Sequence, residues 1–412
     1  MTGARESCER SLARTGESAA RLAMITVTAD RARREADASD RRRDSGLPRG
    51  PVDGVPVVWK DLFDVVGTVT TCGSGLLRHQ PEAIRDSALV GRLRDLGMVT
   101  IGKSNLSEFA FSGLGINQVF GTPVNPLDAA RVPGGSSSGA AVAVATGIAP
   151  LAVGTDTSGS VRVPAAFTGC VGYRASHERY GRNDFRALSP TLDSVGFVAR
   201  SVADIRLIDR LLVAEAEFAP ALRAVIPAGE WVDDCSPGVR ASFDAAVAAL
   251  RRSGIDVSTV ELPSLRQAQN LLDTHGTIVG ADAYAVYGHL PGTEPATRRR
   301  LLDSAGVSPE PLRRSMAKLR SMFRQELAGA VLLCPTVRHE PPRVADLLAS
   351  DAAYDAANAS TLRTTMVLSF LGACGVTLPV PGVDGGLPSG LLLSAPDGDD
   401  AMLLATAVEF SR

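Results

Sequence analysis

The chain has 412 residues, 45% of them hydrophobic, and a formal net charge of −2 from 43 basic and 45 acidic residues. That length is enough to bury a large α/β core, and the even charge balance gives no electrostatic footprint for nucleic acid or an anionic membrane. The six cysteines (Cys8, Cys72, Cys170, Cys235, Cys334 and Cys374) show no metal-ligand or redox spacing, so they read as buried thiols in a reducing compartment.

Residues 1–45 are rich in Arg, Ala and Glu and predict one or two surface helices, an N-terminal helical arm ending before Gly46-Leu47-Pro48. The start of the chain is charged and lacks the apolar run of a signal peptide, so a cytoplasmic protein is expected. Val55 to Trp59 is an apolar run suited to a buried strand. Ser87 to Leu96 has helical spacing, and Met98 to Ile101 reads as the next strand. Asp244 to Arg252 and Leu312 to Leu327 predict helices, with a strand at Asp256 to Leu262 between them. This alternation argues for an α/β fold. We read 46–412 as a single domain, with its core at 50–205 and a cap over the site at 205–340. Gly139 to Val153 and Met366 to Val380 are apolar but short and broken by Gly or Pro, so they predict buried elements rather than membrane spans.

Only three of the 43 basic residues are lysines: Lys60, Lys103 and Lys318. Arginine keeps its proton in a protein and lysine can lose it, so each lysine is a candidate for a position where arginine will not serve. Two Gly/Ser-rich segments abut apolar runs: Pro133 to Gly139, and Gly154 to Ser160. A flexible linker would not be flanked in this way; a tight turn packed inside the fold would. Such turns align backbone N–H groups into an anion site. Neither segment has the lysine of a phosphate loop, and the hydroxyls beside the glycines favour a serine nucleophile.

A serine nucleophile needs a base. The histidines (His79, His177, His275, His289 and His339) sit in no recognisable context. Lys60 follows a buried-type strand, and desolvation favours its neutral, basic form. Position alone leaves two readings of Lys60 open: a base, or a structural ion pair with an acid such as Asp61. Two further matches read as chance. Gly135 to Gly139 fits the G-x-S-x-G nucleophile elbow, but Ala130 to Pro133 before it is a poor strand. Ser315 to Lys318 fits S-x-x-K, but without its companion motif and among the arginines of an exposed helix.

Taken together, the segments resemble the amidase signature family. Gly54, Pro56, Lys60 and Asp61 fit its G-x-P-x-x-x-K-D segment. Gly102-Lys103-Ser104-Asn105 with Glu108-Phe109-Ala110 fits a second, and Gly121-Thr122-Pro123 with Asn125-Pro126 a third. Pro133 to Gly139 fits the first serine turn, and Gly154 to Gly169, with Arg162, Pro164 and Ala165 in place, fits the second. Leu192 to Gly196, Ala199 to Val202, and Leu387 to Gly390 with Asp400 and Glu409 follow in order.

The resemblance implies a large mixed twisted sheet flanked by helices, and an amidohydrolase acting on a small-molecule carboxamide. It implies Lys60 as catalytic lysine, Ser136 as a serine in a cis peptide, and Ser160 as nucleophile. It also implies an oxyanion site built from the N–H groups of Thr157, Ser158, Gly159 and Ser160. No cofactor or metal is implied, and no nucleic-acid or membrane partner; a homodimer is compatible. Two alternatives stay open: the glutaminase component of a tRNA-dependent amidotransferase, and a non-catalytic relative that only binds. The sequence departs from the family at Ser138 and Ser158, where glycine is usual, and at Ala175, where proline is usual. A serine that needed positive φ would be strained.

Overall fold

The computed structural model describes residues 3–181, 184–215 and 218–411. Eleven strands among these residues form one mixed sheet: β1 (Met24–Val27), β2 (Pro56–Lys60), β3 (Val99–Ser104), β4 (Leu151–Asp156), β5 (Val171–Arg174), β6 (Ser194–Ala199), β7 (Arg223–Pro227), β8 (Asp256–Val260), β9 (Val331–Pro335), β10 (Cys374–Val380) and β11 (Ser389–Ala395). Their order across the sheet is β1-β3-β2-β4-β6-β5-β10-β11-β9-β7-β8. β2 runs parallel to both β3 and β4, and β7 runs parallel to both β8 and β9; the remaining neighbours are antiparallel.

Every residue of β2, β3, β4, β5 and β6 is buried, as expected of strands covered on both faces. Alternation along the strand decides which core each side chain joins. Val57 and Trp59 of β2, Leu151 and Val153 of β4, and Phe197 of β6 enter the larger core. Val58, Ala152 and Val198 point the other way, into a small-residue core. That second core is filled by Ala4 and Cys8 of helix Ala4–Arg14, Ala32 and Ala36 of helix Ala29–Asp44, and Ala140 to Val144 of helix Ser138–Ala145.

The described residues up to 45 therefore hold the two α-helices Ala4–Arg14 and Ala29–Asp44, and between them β1, which pairs antiparallel with β3. The composition of this region pointed only to helices. A four-residue edge strand with partly exposed side chains has too little alternation to be read. Residues 205–340 contribute β7, β8 and β9 to the same sheet, and also helices Pro263–His275, Ile278–Tyr287, Pro295–Asp303 and Glu310–Leu327. The apolar run from Gly139 is a helix followed by β4, and the run from Met366 is the end of helix Asp351–Phe370 followed by β10. Among the described residues, no helix is long and apolar enough to cross a membrane. Arg131 makes only a single bridge, to Arg343, and Lys318 is exposed on its helix. Neither of the two chance motifs has its structural context.

Candidate active site

Parallel pairing of β2 with β4 (Val57 with Leu151, Trp59 with Val153) sets the C-terminal ends of both strands side by side. Ligand sites in α/β sheets form at such ends. Lys60 closes β2, and Thr155 and Asp156 close β4. Lys60 Nζ donates to Ser136 Oγ at 2.7 Å, to Thr155 Oγ1 at 3.0 Å and to the Thr155 carbonyl at 3.4 Å. Ser136 lies just before helix Ser138–Ala145, and its peptide bond with Gly135 is cis. Its carbonyl accepts from Ser107 N at 3.2 Å, and the next amide, Ser137 N, donates to the Ser160 carbonyl at 3.0 Å. The two serine turns are thus stitched together through their backbones. Ser137, the centre of the G-x-S-x-G match, is fully buried and donates its hydroxyl to the Thr155 carbonyl at 3.3 Å.

The two readings of Lys60 separate cleanly. Asp61 pairs with Lys103, whose Nζ is 2.5 Å from Asp61 Oδ1. Asp61 also accepts from Thr71, and Lys103 donates to Thr70 Oγ1 and the Val69 carbonyl. Among the described residues Lys60 has no carboxylate within ion-pair distance. Burial lowers its pKa to about 7, against the opposing charges of Asp193 and Asp156. A neutral amine near neutrality is within reach of such a group.

Asp156 organises the turn that follows it. Its carboxylate accepts from Gly159 N at 2.7 Å, Val161 N at 3.1 Å and Arg162 N at 3.2 Å. The Arg162 guanidinium clasps it at 3.0 and 2.8 Å, and Arg174 approaches to 3.7 Å. Burial alone would raise this carboxyl, but the two guanidiniums override it and hold it well below the usual carboxylate range. The Gly159 amide is therefore already engaged. Thr157, Ser158 and Ser160 keep their N–H groups without a protein acceptor among the described residues. The expected four-amide cradle narrows to three.

Ser138 and Ser158 both lie outside the positive-φ region, so serine is unstrained at either position. The obligatory glycine is Gly159, at φ 129°, where a Cβ would sit 2.3 Å from Thr365 Oγ1. Ala175 is buried and donates its N–H to the Val195 carbonyl at 3.1 Å, a bond that proline could not make.

Ser158 and Ser160 open onto a cavity of about 310 Å³. Its apolar wall includes Phe111, Leu188, Leu362 and Met366. A serine that opens onto the cavity, free amides in its own turn, and a buried Lys60–Ser136 pair tied to that turn by the Ser137–Ser160 backbone bond are groups that can support acyl transfer.

A family model described as Amidase matches residues 6–404. The chain belongs to the amidase family. It is 37% identical over 404 residues to the 2-amino-5-chloromuconic acid deaminase of Comamonas testosteroni, covering 92% of this chain and 85% of that protein. It is 30% identical over 446 residues to a glutamyl-tRNA(Gln) amidotransferase subunit of Geobacter sp. (strain M21), covering 95% and 89%. A crystal structure of an amidase superposes with a TM-score of 0.86 at 29% identity, covering 100% of this chain and 96% of that one. The 6-aminohexanoate cyclic dimer hydrolase, solved with its substrate, gives 0.85 at 25% identity, covering 100% and 93%. Membership supports a hydrolase of carbon–nitrogen bonds.

Sequence reasoning left several residues of this amidase's site without a role. Thr155 anchors Lys60. Asp193 accepts from Thr157 Oγ1 at 2.6 Å and from the amides of Leu188 and Ser189 at 2.8 and 3.1 Å. It therefore ties the turn before Ser160 to the Leu188 side of the cavity. Burial raises its pKa to about 6, against Thr157, the two amides and Lys60. Asp193 stands within a matched motif, but its partners come from two other segments. The wall residues Asn358, Leu362 and Met366 lie on helix Asp351–Phe370, outside the 205–340 segment read as the cap.

The two lysine environments predict opposite responses to truncation. Lys103→Met strands the buried Asp61 and lowers the unfolding free energy by roughly 3–5 kcal/mol, measured by urea denaturation. Lys60→Met strands no carboxylate and costs far less. Asp193→Asn removes a negative charge that favours protonated Lys60. The Lys60 pKa then falls further, and the ascending limb of the pH–kcat/KM profile moves to more acidic pH. A limb that stays in place would show that the charge of Asp193 does not reach Lys60.

Proposed function

We propose that this amidase hydrolyses the C–N bond of a small linear carboxamide, with Ser160 as nucleophile and a Ser136–Lys60 relay as base. The observation that carries the reading is the Lys60–Ser136 hydrogen bond at 2.7 Å, made by a buried lysine that has no ion-pair partner among the described residues. In this mechanism neutral Lys60 takes the proton of Ser136 as Ser136 takes that of Ser160. Ser160 Oγ attacks the amide carbon, and the oxyanion receives the N–H groups of Thr157, Ser158 and Ser160. The relay returns the proton to the leaving nitrogen, which departs as ammonia or an amine. Water, deprotonated by the same relay, then attacks the acyl-enzyme and frees Ser160 and a carboxylic acid. The free cysteines suit the reducing cytoplasm.

A second reading, the glutaminase role within a tRNA-dependent amidotransferase, is favoured by the similarity to a glutamyl-tRNA(Gln) amidotransferase component over 95% of this chain. The two readings separate in one assay. A free-standing amidase releases ammonia from simple amides with no other protein present. A glutaminase component is active on glutamine and depends on its partners.

Ser160→Ala is expected to lower kcat by at least about 10³-fold with fold and stability retained, scored by ammonia release over aliphatic, aromatic and amino-acid amides. Unchanged turnover in that variant overturns the assignment. The base must be neutral to accept a proton, and Lys60 is neutral above its pKa. The kcat/KM should therefore rise about tenfold per pH unit below pH 7 and level off above it. Lys60→Arg, which cannot lose its proton, should be inactive at every pH. A bell centred near pH 6 would point to histidine instead.

A further inference from the structure

The cavity that holds Ser160 also has two guanidiniums in its wall, and their environments differ. Arg363 is neutralised: it donates to Glu230 at 2.8 Å and lies 3.7 Å from Asp273. Arg300, on helix Pro295–Asp303, has no ion-pair partner among the described residues. Its guanidinium carbon lies 5.1 Å from the centre of the Phe111 ring and 5.5 Å from that of Tyr354. Nη2 donates to the Phe111 carbonyl, while Nε and Nη1 are shielded from solvent and meet no acceptor.

The neighbouring charges do not supply one. Arg299 is paired with Asp351 and Asp355. Glu294, at the start of the same helix, accepts from the amides of Gln118 and Val119, and its acidity is weakened to a pKa of about 7, mainly by burial. Asp273 accepts from Gln269 besides facing Arg363. Asp303 also lines the cavity but is exposed to solvent. A shielded guanidinium with unmet donors is costly unless an anion completes it. The guanidinium is planar by its own delocalisation, and the adjoining aromatic rings exclude water from it, the state in which arginine recognises carboxylates.

We propose that Arg300 is a substrate-carboxylate anchor, so that the amide cleaved at Ser160 belongs to a molecule that also carries a carboxylate. This rests on the amide-hydrolysis reading above. The cavity shared by Ser160 and Arg300 is also lined by apolar side chains, among them Leu188, Leu272, Leu362 and Met366. They fit a short hydrocarbon chain or ring. The substrate class is a monoamide of a small dicarboxylic acid, and water converts it to the dicarboxylate and ammonia.

Binding and turnover test this separately. Binding is measured by calorimetry on the Ser160→Ala protein, with succinamate, glutaramate, adipamate and 4-carbamoylbenzoate, each set against its methyl ester. At least one acid should bind roughly 10- to 100-fold more tightly than its ester, the range of a charge-assisted hydrogen bond. Adding Arg300→Met should abolish that preference while moving ester affinity less than about threefold. Arg300→Lys should keep part of it. Equal binding of every acid and its ester in Ser160→Ala alone overturns the proposal, whatever the folding of the Arg300 variants. So does a preference that survives Arg300→Met. Turnover of the same amides by the wild-type protein is scored independently: an acid that binds through Arg300 but is never hydrolysed overturns the catalytic reading and leaves the anchor standing.

Discussion

The site depends on keeping a carboxylate away from Lys60. Lys60 and Asp61 are consecutive residues, and a strand sends consecutive side chains to opposite sides. The neighbouring strand supplies the partner on the far side: β3 pairs in parallel with β2 and sets Lys103 beside Trp59, within reach of Asp61. Had Asp61 met Lys60 instead, their attraction in a buried setting would have held the lysine protonated and unfit as a base. With that acid engaged elsewhere, burial is the largest influence on Lys60 and its neutral form becomes accessible. The two acids that still act on it are each occupied. Asp156 is clasped by Arg162, and Asp193 accepts from Thr157, Leu188 and Ser189.

The same carboxylate of Asp156 shapes the turn on which Ser160 sits. It gathers the amides of Gly159, Val161 and Arg162 on one side. The amides of Thr157, Ser158 and Ser160 are left as donors without acceptors among the described residues. Donors fixed by the fold need no reorganisation when negative charge develops on a substrate oxygen. Gly159 is the hinge of this arrangement. Its φ of 129° and the closeness of Thr365 exclude a side chain there, whereas Ser158 accommodates one. Thr365 in turn donates to the Ser158 carbonyl at 2.5 Å, so helix Asp351–Phe370 braces the turn from behind.

Much of this was legible from local pattern. The strand ending at Lys60, the helix over Ala88–Asp95, the helices ending at Arg252 and Leu327, and the α/β alternation follow from apolar spacing alone. The two Gly/Ser segments were readable as buried turns because of what flanks them. What was not legible is non-local. Whether Asp61 pairs with Lys60 is decided by Lys103, on another strand. The role of Asp193 depends on donors from Thr157 and from Leu188 and Ser189. β1 escaped because an edge strand of four partly exposed residues has almost no pattern. Which residue of the turn before Ser160 needs positive φ was not legible either, since only the backbone shows it.

The proposed catalytic groups and the cavity wall come from different parts of the chain, yet they are held in one frame. Lys60, Ser136 and Ser160 sit at buried strand ends and their turns, while most of the wall comes from helices between residues 263 and 370. The link between the two is polar. Glu108, beside the Phe111 edge of the cavity, accepts from Ser74 Oγ at 2.7 Å and from the Glu294 amide at 2.7 Å. Glu294 accepts from the Gln118 amide at 2.8 Å. Helix Pro295–Asp303 is thereby pinned by its first turn to core loops, which sets the position of Arg300 relative to Ser160. Apolar packing alone tolerates sliding of a helix by a fraction of a turn, whereas directional hydrogen bonds to buried carboxylates do not. In the proposed mechanism the cavity places one amide carbon over Ser160 and gains from that constraint, because a displacement of about 1 Å in the bound substrate can cost on the order of 10²-fold in rate.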